Sequence, residues 1–157
     1  MAGSPFLLPR AALRLGFLGL APLAISALVS FSQHNDTARL GALSFAIYAA
    51  VLLSFLGGIR CGIELSRAPD RPDAWRLGFS ALPALGGWGL ALFVLMTPAA
   101  LAAASSFAGL FAAQYVLDHR STRVGAPAWY PLLRQVLTGG VMIICLLLPL
   151  AAALHRF

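Results

Sequence analysis

Apolar residues run along this chain in five long blocks, separated by short polar or charged breaks. A helix needs about 20 mostly apolar residues to cross the hydrocarbon core of a bilayer. The blocks at 11–31, 38–66, 76–96, 98–117 and 132–154 reach that length. The pattern predicts an all-α fold: a polytopic membrane protein whose single integral domain, 1–157, is a five-transmembrane-helix bundle. Pro22, Pro83 and Pro149 fall inside three of the spans. There the lost backbone donor kinks a helix that its neighbours can still hold in place. Pro98 suits the first turn of the fourth span, and the short Met96–Thr97–Pro98 connection makes spans three and four an antiparallel hairpin. Arg10 and Arg14 before an apolar run resemble the start of a signal peptide, but no clear A-x-A site follows, so the first span is expected to stay.

Composition strengthens the membrane reading. Hydrophobic residues make up 60% of the 157 and charged ones 10%, against about 25% charged in a soluble domain. All 11 basic residues are arginine, and the net charge is +6. In a chain of this kind arginine in the loops is a topology signal, so nucleic acid is not an expected partner; the bilayer is. Five spans put the two ends on opposite sides. Arg10, Arg14, Arg60, Arg67, Arg71, Arg76, Arg120, Arg123 and Arg134 fall on one side, and only Arg39 and Arg156 on the other. The positive-inside rule then predicts a cytoplasmic N-terminus and a periplasmic C-terminus. Cys61 and Cys145 lie at different depths and are expected to be free thiols.

Small residues recur at every fourth position of the second span: Ala38, Ala42, Ala46, Ala50, Ser54, Gly58, Gly62 and Ser66. Such a stripe lets helix backbones approach closely, and the part from Ala46 through Ala50, Ser54 and Gly58 to Gly62 is the predicted packing surface. A step of four exceeds the 3.6-residue turn, so the stripe winds around the helix and favours a crossed contact. In the fourth span Ala100, Ala104, Ala108 and Ala112 form a similar line, which predicts a central position against the second span. The alternative for both stripes is contact with another protein or a second copy of the chain. In the third span Gly86, Gly87 and Gly89 surround Trp88 and would make room for the indole or for a ligand.

Ionisable groups at membrane depth are functional candidates. Arg60 and Glu64 are one turn apart on a helix face. Asp118 ends the fourth span and Arg134 begins the fifth on the same side, so Arg60, Glu64, Asp118 and Arg134 are expected to form one balanced cluster. Glu64 sits near a helix C-terminus, where the macrodipole disfavours a carboxylate, so it needs a cationic partner. A structural ion-pair lock is the leading reading, with plain interfacial charges and a ligand or proton site as alternatives. Trp129 and Tyr130 end the loop before the last span and fit the headgroup level, where amphipathic rings anchor helices. None of His34, His119 and His155 lies mid-membrane, and no regular ligand spacing suggests a metal. Neither a cofactor, a metal nor a catalytic residue is expected.

Three segments in order, "YAAVLLSFLGGIRCG" (48–62), "SALPALGGW" (80–88) and "APAWYPLLRQVLT" (126–138), resemble an uncharacterised bacterial membrane family that also includes mitochondrial transmembrane protein 69. The resemblance spans nearly the whole chain. Arg60, Trp88, Asp118, Pro127, Trp129, Tyr130 and Arg134 match its pattern, while Cys61 stands where an aromatic residue is common. It implies a bacterial inner membrane or mitochondrial inner membrane setting and carries no known activity. Together these readings predict a non-enzymatic membrane protein, an accessory, assembly or structural subunit that packs with other membrane subunits or itself. The alternative is a small carrier, channel or lipid- or quinone-binding protein, with Ser44, Tyr48, Ser105, Gln114 and Thr138 lining a polar cavity.

Overall fold

The computed structural model describes residues 9–121 and 126–154. Six helices build it: α1 (Arg10–Val29), α2 (Asn35–Arg67), α3 (Ala74–Met96), α4 (Ala100–Ala104), α5 (Phe107–Ser121) and α6 (Tyr130–Leu154). Helices α4 and α5 together form the fourth span, so five segments are long and apolar enough to cross a membrane. At 33 residues and 1.5 Å of rise each, α2 is about 50 Å long. It contains no proline and runs unbroken, overshooting a hydrocarbon core of about 30 Å.

The fourth span breaks at Ser105–Ser106. The Ser105 hydroxyl donates to the Ala102 carbonyl at 2.6 Å. The backbone N–H groups of Ser106, Ala108 and Gly109 bond three residues back, the tighter spacing of a 3₁₀ turn. Pro98 lies two residues before α4, outside its first turn.

Helix α2 is the hub, packing on α1, α3 and both pieces of the fourth span, while α6 closes the bundle against α1 and α5. Lipid tails are as apolar as leucine, so burying leucine brings little gain; close packing and polar contacts hold the helices. The residues sort accordingly. Leu15, Leu18, Phe55, Leu85, Ile143 and Leu146 face outward. The interior is rich in alanine around Phe45 and Phe107, whose rings meet edge to face with centroids 6.3 Å apart.

The α2–α3 seam depends on two glycines. A Cβ at Gly57 would collide with the Ser80 backbone carbonyl oxygen, and one at Gly87 would lie 3.0 Å from the Ala50 Cα and 3.2 Å from Leu53 Cδ1. Gly87 therefore admits the neighbouring helix. Trp88 is 63% exposed and points outward, so the glycine cluster does not house the indole.

The predicted stripe of α2 is divided. Ala38, Ala42 and Ala46 are buried, Ala50 is half-buried, and Ser54, Gly58 and Gly62 are exposed. A Cβ at Gly58 or Gly62 would meet nothing within 4 Å. Each step of four residues turns about 40° past the preceding one, so Gly62 lies about 160° around the helix from Ala46. The inner contact instead follows Phe45, Ala49, Leu53 and Gly57. In the fourth span Ala100 and Ala104 are buried and Ala108 is half-buried, with Ala100 and Ala104 in the central core beside α2.

Candidate functional site

One end of the bundle gathers the C-terminal ends of α2 and α5 and the N-terminal ends of α1, α3 and α6. The buried charges lie here, and they fall into two groups. Asp118, on the last turn of α5, is 2% exposed. Its Oδ2 accepts from Arg134 Nε at 3.0 Å and from Nη2 at 2.5 Å. Its Oδ1 accepts from Gln114 Nε2 at 3.0 Å and lies 3.5 Å from Arg60 Nε. The fork of Arg134 suits a carboxylate better than an ammonium would. One carboxylate thus joins α2, α5 and α6.

Glu64 stands apart from this group. Its carboxylate receives Arg67 Nη2 at 2.7 Å and Nε at 3.1 Å, and the Asp73 backbone N–H at 3.2 Å. Arg76 Nη1 on α3 lies 3.8 Å away. The single balanced cluster expected from the sequence is therefore two. Glu64 lies about 6 Å beyond Arg60 along α2 and about 40° further round, which turns it toward α3. There it ties the 68–73 connection to α2, and Asp73 in turn caps α3 by accepting the Trp75 N–H at 2.9 Å.

Breaking such a buried pair is costly because it leaves an uncompensated charge. The arrangement around Asp118 fixes the register of three helices, and Gln114, which sequence reasoning placed along a cavity, is part of it. A glutamine four residues before an aspartate shares its helix face, which was the signal available. Among the described residues, three buried polar atoms at this end have no hydrogen-bond partner: Arg60 Nη1, Gln114 Oε1 and the Tyr130 hydroxyl.

Tyr130 begins α6 at this same end, directly after Trp129, but Tyr130 is only 8% exposed. It faces inward, unlike the headgroup-facing ring expected of it, while Trp129 is half-buried. Both line a cavity of about 320 Å³ between α1, α2 and α6, together with Arg134 and Thr138. A second cavity, about 430 Å³, lies between α2 and α3 and is lined by Ala50, Ser54, Ala84 and Trp88.

Of the five polar residues proposed for a cavity lining, Thr138 lines the first of these cavities. Tyr48 donates to the Gly19 carbonyl at 2.8 Å, and Ser105 and Gln114 have the local partners given above. Ser44 is exposed. Cys61 and Cys145 are unpaired. Among the described residues no group of three His, Cys, Asp or Glu is placed to hold a metal. His155 lies outside the described residues.

A family profile described as "Protein of unknown function (DUF3429)" matches residues 8–151. Transmembrane protein 69 of Xenopus tropicalis is 34% identical over 132 residues, covering 83% of this chain and 50% of that protein. The chain thus spans about half the length of this relative. No solved structure matches it.

Proposed function

The chain belongs to the DUF3429 family and is a multi-pass membrane protein; we propose that it is a non-enzymatic accessory or assembly subunit that packs against a helix of another membrane protein. The supporting observation is the outer face of α2. Ile47, Val51, Ser54, Gly58, Gly62 and Leu65 are all exposed and recur at three- and four-residue steps, the spacing of a helix–helix seam. Its middle is small, open backbone that no described residue covers. The Ser54 hydroxyl, unlike those of Ser80 and Ser105, makes no hydrogen bond among the described residues, and in hydrocarbon such a group favours an interhelical partner.

The test is native mass measurement after gentle extraction. Wild type should carry a distinct membrane subunit, and Gly58→Leu should release it while keeping its own thermal stability. A single chain without partners, or a second copy alone, would overturn the accessory reading.

The setting we propose is the bacterial inner membrane with the N-terminus cytoplasmic. Its support is the arginine asymmetry: the end of the bundle bearing Arg10, Arg60, Arg67, Arg76 and Arg134 faces the cytoplasm under the positive-inside rule.

A second reading, a lipid- or quinone-binding protein, is favoured by the cavity between α1, α2 and α6. At about 320 Å³ it falls in the range of small-molecule sites, about 300–1,000 Å³.

A further inference from the structure

We propose that the cavity between α1, α2 and α6 holds the chain of an anionic lipid, with its phosphate or carboxylate at the Tyr130–Arg60–Arg134 end. This rests on the second reading above and names the ligand class for that site. The cavity walls are apolar, formed by Leu20, Leu52, Leu56, Leu137 and Val141. Leu15 and Phe55 also line it and are 70% and 63% exposed, so the cavity opens toward lipid between α1 and α2. Such a slot suits a flexible hydrocarbon chain entering from the bilayer.

The other end is built differently. Tyr130 and Arg134 line it and are both more than nine-tenths buried. Among the described residues the Tyr130 hydroxyl and Arg60 Nη1 are donors with no acceptor, and Ile59, beside Arg60, lines the same cavity. Leaving a buried donor unpaired is unfavourable, and both donors call for an acceptor. Charge points the same way. Among the described ion pairs of this group two guanidinium groups, Arg60 and Arg134, face the one carboxylate of Asp118, so positive charge is in excess there. A ligand bearing an anionic, hydrogen-bond-accepting head and an apolar tail satisfies the donors, the charge and the walls together. A quinone would satisfy only the donors and the walls.

The experiment uses the full chain, delipidated in mild detergent and then offered dioleoyl phosphatidylglycerol, dioleoyl phosphatidylcholine, oleate or a ubiquinone, with retention read by native mass spectrometry. Phosphatidylglycerol, oleate or both should be retained about tenfold better than phosphatidylcholine, whose choline cancels its phosphate charge; about tenfold is the low end of the coupling between close charge pairs. Their ratio distinguishes a phosphate headgroup from a free carboxylate. Tyr130→Phe, which removes only the hydroxyl, should cut that preference several-fold, as should Arg60→Gln. Arg14→Gln, an exposed arginine at the same end, should leave it unchanged. Thr138→Phe should fill the cavity and abolish retention. Headgroup-blind retention, preference for the quinone, indifference to Tyr130→Phe, or an equal loss in Arg14→Gln would overturn the proposal while leaving a lipid-binding cavity. If no amphiphile is retained, the second reading fails with it.

Discussion

Adjacent glycines on α2 should respond to the same substitution with opposite signs. At Gly57 an added methyl runs into the Ser80 backbone carbonyl, which cannot rotate away as a side chain could. Helices α2 and α3 must then separate along a seam where even a Cβ at Gly87 would lie only 3.0 Å from the Ala50 Cα. Overpacking of this kind costs about 1–3 kcal/mol, partly offset by the better helix propensity of alanine, about 0.5–1 kcal/mol. The net loss is about 1–2 kcal/mol, or a fall of about 2–8 °C at the 2–4 °C per kcal/mol typical of a chain this long. At Gly58 the methyl meets nothing within 4 Å. Only the propensity gain remains, worth a rise of about 1–4 °C. Thermal unfolding of Gly57→Ala, Gly58→Ala and wild type in one lipid nanodisc composition measures both. If the two variants shift together, or Gly57→Ala matches wild type, the close α2–α3 approach is wrong.

Asp118→Ala strands Arg60 and Arg134 in a buried site and should cost about 3–5 kcal/mol in the same unfolding assay. A loss under about 0.5 kcal/mol, the range of ordinary surface changes, would reduce the ion pairs to a marker of the membrane boundary. A reporter active only in the cytoplasm should be silent when fused after Phe157 and active when fused ahead of Met1; the reverse result would refute the orientation.

The spans were legible because length and hydropathy alone decide them. The break at Ser105–Ser106 was not, since it arises from a local choice between side-chain and backbone hydrogen bonds inside an otherwise apolar run. The period-four stripe was visible, but its division was not. A spacing of four and a turn of 3.6 carry Gly58 and Gly62 away from the inner face, and only the positions of α1 and α3 show where that face ends. Asp118 and Arg134 were read correctly as lying near one another, because they bracket a single loop. Glu64 was misgrouped: it pairs with Arg67 on its own helix and turns toward Arg76 on α3, a helix whose rotation the sequence does not state. Tyr130 stands at the start of α6, and its inward direction depends on packing beside Arg134. Trp88 shows the converse: its glycine neighbours serve the backbone contact at Gly87, and the ring is left outside.

The claim that the outer face of α2 is a docking surface for another membrane subunit is tested most directly by the native mass of the gently extracted protein. Wild type should run above its own 16.5 kDa by the mass of a distinct protein, and Gly58→Leu should run at the single-chain mass with its unfolding midpoint intact. A wild-type species at the single-chain mass, or an assembly that survives Gly58→Leu unchanged, would contradict it.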